Sequence, residues 1–385
     1  MNTKLSAAFP DQWENWIWQV QNSFTSIDQL ATLVGMDEAE RTMLRETTRK
    51  YPVAITPYYW SLLDFTDPQD PLKKQCFPSY EEISYPVASV DDPLGEEGDM
   101  VVPGLVHRYP DRVLMIVTNI CAMNCRHCTR KRLWESGRKG FVRKQVDEMF
   151  AYIRSTPAVR DVVVSGGDPL LLSDQNLEYI LRNLREISHV EIIRIGTRAP
   201  VVLPQRITGD LVSMLRKYRP IWLNTQFNHP RELTPRSIQA CDRIVSSGIP
   251  MNNQSVLLRG INDDPQVMKT LCQKLLAASI RPYYIFQCDP VSGTEHLRTP
   301  VWKGIEIIEN MRGHTSGLAV PTFVVDALDG GGKIPLQPNY LISMADDYLV
   351  FRTYEGRIIR YANPDQRRLP LKTANRNLKE KRKGK

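Results

Sequence analysis

Arg112-Val-Leu-Met-Ile-Val-Thr-Asn-Ile-Cys121-Ala-Met-Asn-Cys125-Arg-His-Cys128 is the stretch that decides the fold. Its first half holds a short apolar run, Val113–Val117, with the length and make-up of a buried strand. Its second half sets three cysteines, spaced C-x₃-C-x₂-C, directly behind that strand. Three thiolates on a tight loop can hold a [4Fe–4S] cluster by three of its irons and leave the fourth open for chemistry. A structural zinc site needs a fourth ligand. His127 stands awkwardly between two of the cysteines, and no second C-x₂-C pair exists. Disulfides would leave an odd thiol and need an oxidising compartment. The cluster reading needs only the three thiolates, and Arg126, Arg130, Lys131 and Arg132 stand close enough in sequence to offset its charge.

Downstream the strand signal repeats at Val162–Val164, Ile192–Ile195, Ile221–Asn224, Gln254–Leu258 and Tyr283–Phe286. Helical patterns lie between, such as Val146, Met149, Phe150, Ile153, then Leu177, Ile180, Leu181, Leu184, then Ile238, Cys241, Ile244, Val245. Apolar strands alternating with helices predict parallel βα units. Six of them predict an α/β fold, a partial (βα)6 TIM-like barrel over residues 101–320. Functional loops of such barrels follow the strands. The cysteines follow the first strand, Ser165-Gly166-Gly167-Asp168-Pro169 the second and Gly196-Thr197-Arg198 the third, so all three loops converge on one mouth.

The flanks differ. Residues 1–100 read as a separate helical region and linker. Asp11 caps a helix whose apolar face is Trp13, Trp16, Ile17, Val20 and Phe24. Trp13, Trp16 and Trp18, so close together, read as a core or subunit-contact stripe rather than a ligand box. Tyr85–Asp99, rich in Pro and acids, reads as the linker. Residues 321–365 combine the glycine turn Gly330-Gly331-Gly332-Lys333 with short strands at Tyr340–Ser343, Tyr348–Arg352 and Arg357–Tyr361, a small C-terminal β extension. A phosphate-binding P-loop is excluded there, because Ile334 follows the lysine where Ser or Thr is required. The formal net charge is +7, but residues 366–385 hold nine basic side chains against Glu380, so the other 365 residues carry −1. The tail reads as a solvated, disordered end, with RNA or translation-associated binding the competing reading and nucleic acid not expected. With 42% apolar residues, no apolar run of membrane-spanning length and four scattered cysteines, the chain reads as a cytoplasmic protein with reduced thiols.

C-x₃-C-x₂-C behind the first strand of a partial barrel resembles the radical S-adenosylmethionine enzymes. The resemblance is closer to one family among them. Cys121-Ala-Met-Asn-Cys125-Arg-His-Cys128-Thr-Arg130-Lys-Arg132, Tyr109-Pro110-Asp111-Arg112, Phe227-Asn228-His229-Pro230, Asn253-Gln254-Ser255-Val256-Leu257-Leu258-Arg259 and Arg281-Pro282-Tyr283-Tyr284 resemble the lysine 2,3-aminomutases over roughly residues 100–345. The resemblance implies an isomerase that moves the α-amino group of L-lysine to Cβ, through a pyridoxal-phosphate aldimine and a 5′-deoxyadenosyl radical. It implies Cys121, Cys125 and Cys128 on the cluster, and Gly166, Gly167, Asp168 and Gln254 on S-adenosylmethionine. It implies Lys333 as the catalytic lysine joined to pyridoxal phosphate, with Arg108 and Arg112 on the phosphate. Arg130 would take the substrate carboxylate, and Asp289 with Asp326 the side-chain ammonium. An acid pair of this kind also suits arginine or ornithine, or a decarboxylating relative. A flavodoxin or ferredoxin electron donor and a homo-oligomer are implied as well. Asp264-Pro265 and the lack of any cysteine after Cys288 depart from the zinc-carrying lysine enzymes, so no structural zinc is expected. Gln226 and Asp329 are smaller departures.

Overall fold

The computed structural model describes residues 9–85, 90–134, 137 and 139–364. The basic segment 366–385 lies outside them, as do residues 86–89 of the expected linker.

Residues through Leu336 form one compact unit, and a second unit begins at Gln337. The first unit is built on a ten-stranded sheet whose strands lie in chain order. They are β1 (Met100–Val102), β2 (Leu105–Tyr109), β3 (Arg112–Ile116), β4 (Asp161–Ser165), β5 (Ile192–Gly196), β6 (Ile221–Thr225), β7 (Met251–Leu257), β8 (Arg281–Gln287), β9 (Thr322–Ala327) and β10 (Gly332–Leu336). From β3 to β9 every pairing is parallel; β1 and β2 run antiparallel at one end and β10 at the other. The six barrel strands expected from the sequence form, and β9 extends the parallel run by one more.

Helices fill the crossovers. The one at Arg143–Ser155 buries Val146, Met149, Phe150 and Ile153, the stripe its sequence spacing requires. Those at Asp174–Arg185 and Pro235–Ser246 begin with Ser173 and Thr234, whose hydroxyls accept from backbone N–H groups in the first turn. Side chains of alternate strand residues, such as Val162, Val164, Ile193 and Ile195, are fully buried against these helices.

The N-terminal helix differs from its expected form. It spans Trp16–Gln21, and Asn15 rather than Asp11 is its cap, accepting from Ile17 N at 2.9 Å. Ile17 is exposed, while Trp13 is buried ahead of the helix. Phe24 has left the helix for a β-bridge with Ile55. Residues 9–85 are not separate from the barrel: Trp13, Leu30, Ile55, Tyr59 and Leu72 share one hydrophobic core with the barrel strands. Nor is the acidic stretch a free linker where it is described, since Glu96 is buried against the barrel mouth.

The second unit carries a three-stranded antiparallel sheet, β11 (Leu341–Met344), β12 (Tyr348–Arg352) and β13 (Ile358–Ala362). This is the β meander its alternating short apolar runs announce.

Candidate active site

The strand ends open into a cavity of about 310 Å³. Cys121, Cys125, Cys128, Arg130, Gly166, Gly167, Asp168, Gln254, Asp289, Asp326 and Lys333 all line it. These residues come from three loops and from strands β7, β9 and β10, so the convergence is a product of the sheet topology and not of sequence proximity.

The cysteine loop is fastened from the N-terminal region. Asn124 N donates to Ala54 O at 3.0 Å and Asn124 Nδ2 to Pro52 O at 2.9 Å. Arg126 is fully buried; its guanidinium donates to Glu82 at 2.6 Å, Pro52 O at 2.9 Å and Tyr51 O at 3.1 Å. Lys131 Nζ joins the same carboxylate at 2.9 Å. Burial opposes the charge of Glu82, yet the two cations hold its carboxyl below the usual range. Burial also pulls the Lys131 ammonium down to about 8. The four basic residues near the cysteines are therefore matched by acids, Arg126 and Lys131 by Glu82, and Arg130 and Arg132 by Glu96. The charge expected from the sequence to offset that of a cluster is thus shared with Glu82 and Glu96.

Among the described residues no three His, Cys, Asp or Glu side chains are arranged to hold a single metal ion. A cube bound at three of its corners takes three thiolates from one wall, and Cys121, Cys125 and Cys128 all line the cavity. Arg198 Nη1 lies 2.9 Å from Cys125 Sγ, and Arg130 N lies 3.4 Å from Cys128 Sγ, donors suited to cluster sulfurs. Burial pushes the Cys128 thiol up to about 11, with the Cys125 charge acting the same way, so its thiolate needs added positive charge beside it.

The glycine turn after β4 is stitched to the chain just ahead of Cys121. Gly167 N donates to Thr118 O at 2.6 Å and Asp168 N to Ile120 O at 2.8 Å. A Cβ on Gly166, whose φ is +132°, would stand 2.2 Å from Thr118 O; one on Gly167 would stand 2.4 Å from Ile120 O. Only glycine permits that approach. The Asp168 carboxylate is spent within the protein, accepting from Thr197 Oγ1 at 2.7 Å, Arg198 N at 2.9 Å and Leu170 N at 3.0 Å. Burial still raises it above the usual carboxylate range. What the turn offers a ligand is backbone, shaped by that carboxylate. Thr225 Oγ1 and Gln287 Oε1, both buried on the cavity wall without a partner, add polar atoms for a bound molecule.

At the far wall, Lys333 Nζ lies 2.7 Å from Asp326 Oδ1 and 5.0 Å from the centre of the Phe286 ring. Asp289 accepts from Thr129 Oγ1 at 3.0 Å, one residue past the last cysteine. Burial, reinforced by the charge of Asp326, pushes the Asp289 carboxyl up to about 6. Two acids in one wall, one of them hard to ionise, make a place for a cation.

The two phosphate candidates stand apart from the cavity lining. Arg108 bonds Asp99 at 2.8 Å and comes within 3.3 Å of where a Gly330 Cβ would be, so it borders the glycine turn. Arg112 is more exposed, pairs with Asp111 at 3.1 Å and stacks on Tyr109.

Sequence reasoning missed Glu96 and Glu232. Glu96 takes Arg130 Nε and Nη2 in a forked pair at 2.6 to 3.0 Å and Arg132 at 2.9 Å. Burial works against its charge, but the two guanidinium groups win and hold the carboxyl at about 2. Its acidic neighbours disguised it as linker. Glu232 is fully buried and accepts from Arg198, Tyr59, Asn228 N and His229 N; its only sequence signal is its place just after the Phe227-Asn228-His229-Pro230 motif.

Comparison with known proteins agrees with this geometry. A model described as the radical SAM superfamily matches residues 115–271, and one described as lysine-2,3-aminomutase matches residues 308–382. The chain is 53% identical to the L-lysine 2,3-aminomutase of Clostridium subterminale over 91% of its own length and 85% of the relative's. It is 53% identical to that of Fusobacterium nucleatum, covering 92% and 84%. It is also 44% identical to a glutamate 2,3-aminomutase of Clostridioides difficile, covering 91% and 83%. With the cluster loop, the glycine turn and the barrel all in place, the chain belongs to the radical S-adenosylmethionine lysine 2,3-aminomutase family and is an isomerase of that build, with a [4Fe–4S] cluster and S-adenosylmethionine as its cofactors.

Proposed function

We propose that this chain moves the α-amino group of a cationic L-amino acid, L-lysine first, to Cβ. The observation that carries the reading is the acid pair Asp289 and Asp326 on the cavity wall. Relatives of similar identity are named for lysine and for glutamate, so identity alone does not choose the substrate. Two carboxylates in a half-closed site repel an acidic side chain and favour an ammonium.

Cys121, Cys125 and Cys128 hold the cluster, and the backbone of Gly166 and Gly167, with Gln254, receives S-adenosylmethionine. Lys333 is the attachment point for pyridoxal phosphate, with Arg108 and Arg112 toward its phosphate. When bound, the cluster and S-adenosylmethionine supply an organic radical and the coenzyme supplies a carbonyl for the substrate amine. The rest is positioning. Arg130 keeps Nη1 free of Glu96, which binds only its Nε and Nη2, and that N–H is offered to the substrate carboxylate. Asp326 holds Lys333 Nζ in place until the coenzyme attaches; the proton that Nζ must lose to act as a nucleophile passes to water, so Asp326 stays ionised. Val90–Asp99, anchored through Glu96 and Asp99, places Leu94 in the lining of the site.

A low-potential donor of the flavodoxin or ferredoxin type completes the reading. Among the described residues no two cysteines form a disulfide, which fits a reducing cytoplasm. Exposed apolar residues on the C-terminal sheet, Ile342, Met344, Ile358 and Tyr361, support self-association, which light scattering would test.

The deciding experiment is anaerobic turnover of reconstituted protein with lysine, arginine, ornithine and glutamate, with β-amino products separated by chromatography. Lysine should react fastest and glutamate not at all. Absence of lysine turnover alongside turnover of another amino acid would overturn the substrate assignment.

A further inference from the structure

Arg198 leaves the C-terminal end of β5 and turns inward under the cysteine loop, with 8% of its surface exposed. Its guanidinium is fixed on every side. Nη1 lies 2.9 Å from Cys125 Sγ, Nη2 donates to Gln75 Oε1 at 2.5 Å and Glu232 Oε1 at 2.7 Å, and Nε donates to Gln226 O at 3.1 Å. Its backbone N donates to Asp168 at 2.9 Å, which ties it to the glycine turn as well. The partners are themselves held. Glu232 also accepts from Tyr59 and from two backbone N–H groups, and Gln75 Oε1 accepts from Asn228 Nδ2 at 3.0 Å.

The consequence is electrostatic. Arg126 and Lys131 are matched by Glu82, and Arg130 and Arg132 by Glu96, whereas Arg198 presents an N–H to Cys125 Sγ itself. Its counter-ion, Glu232, binds Nη2, away from the N–H that meets sulfur. The pair is thus a fixed dipole with its positive end at the cluster. On reduction the cube gains one electron from an external one-electron donor. No bond is made or broken and no proton moves; the cube with its three thiolates goes formally from one negative charge to two. A buried positive end favours the more negative state, and hydrogen bonds to cluster sulfurs act the same way.

We propose that Arg198 is a positioning residue that raises the reduction potential of the cluster through its contact with Cys125. The inference needs the cluster but no substrate or coenzyme, so its failure would leave the amino-acid reading intact.

The test is an anaerobic redox titration of the reconstituted full chain, with dithionite and mediators, followed by electron paramagnetic resonance. Neither S-adenosylmethionine nor an amino acid is added. Arg198→Gln should shift the midpoint to a more negative value at unchanged iron content, and Arg198→Lys, which keeps the charge, should shift it less. A midpoint equal to the parent's in Arg198→Gln overturns the proposal, even if thermal stability has fallen. Should Arg198→Gln fail to retain iron, Gln75→Glu decides, because it sets a second carboxylate against the same guanidinium. A negative shift there supports the proposal, and an unchanged midpoint refutes it.

Discussion

Lys333 and Asp326 stand directly opposite each other across the hairpin of β9 and β10, with Nζ 2.7 Å and 3.0 Å from the two carboxylate oxygens. The lysine proposed to carry the coenzyme therefore rests on an acid proposed to hold the substrate. Attaching the coenzyme to Nζ removes that ammonium and releases Asp326 for the substrate's own.

Lys333→Ala should abolish the visible absorption band of lysine-bound pyridoxal while leaving iron content intact. Lys333 is partly exposed and outside the core, so its circular dichroism should match the parent's. A band that persists in the variant removes Lys333 from its assigned role.

Asp289→Asn and Asp326→Asn should each lower kcat/KM for lysine. Losing one partner of a desolvated charge pair costs about 2–4 kcal/mol, roughly 30- to 1000-fold. Steady-state kinetics of each variant decides, and a loss under threefold in both would mean that the cation lies elsewhere.

The pH dependence has a defined sign. Burial and the charge of Asp326 place the Asp289 carboxyl at about 6 in the folded chain, above its unfolded value of about 3.9. The stability this group contributes is present below the unfolded value and is lost as pH rises through about 6. Binding of a cation works the other way, because it needs the ionised acid. KM for lysine should therefore rise as pH falls below about 6. In Asp326→Asn the break should move to lower pH, since one of the two causes has gone. A KM flat from pH 5 to 8 would contradict this account.

Glu82→Ala should destabilise the fold by about 3–5 kcal/mol, because it leaves Arg126 and Lys131 buried without their anion. Thermal unfolding would register this as a lower Tm. Iron retention should fall with it, since Arg126 belongs to the cysteine loop. A Tm within a degree of the parent's would show that the triad is not what fastens the loop.

The barrel was legible because its signals are local. A strand such as Val113–Val117 and a stripe such as Val146, Met149, Phe150 and Ile153 carry their own periodicity. The cysteine loop was legible because its spacing is itself the chemistry. Glu96, Glu232 and Glu82 were not legible, because each acquires meaning only from a partner far along the chain: Arg130, Arg198 and Arg126. Acidic residues among turn formers look alike whether they face water or a buried guanidinium. The misplaced first cap has a similar cause. Asp11 and Asn15 are both good caps, and what favours Asn15 is Gln19, whose side chain bridges Trp13 O and Tyr58 N.

Each strand of the large sheet pairs with the strand made just before it, from β1 to β10. A chain emerging from the ribosome can extend this sheet one edge at a time without holding a gap open for a later arrival. The cysteine loop is then enclosed by earlier segments, Tyr51 to Glu82, before Lys333, the proposed coenzyme lysine, has been synthesised. On the proposed assignments, iron loading need not wait for Lys333 to be made, whereas coenzyme attachment must. Iron content of a chain ending at Ala319 would test that order, and a truncated chain unable to take up iron would refute it.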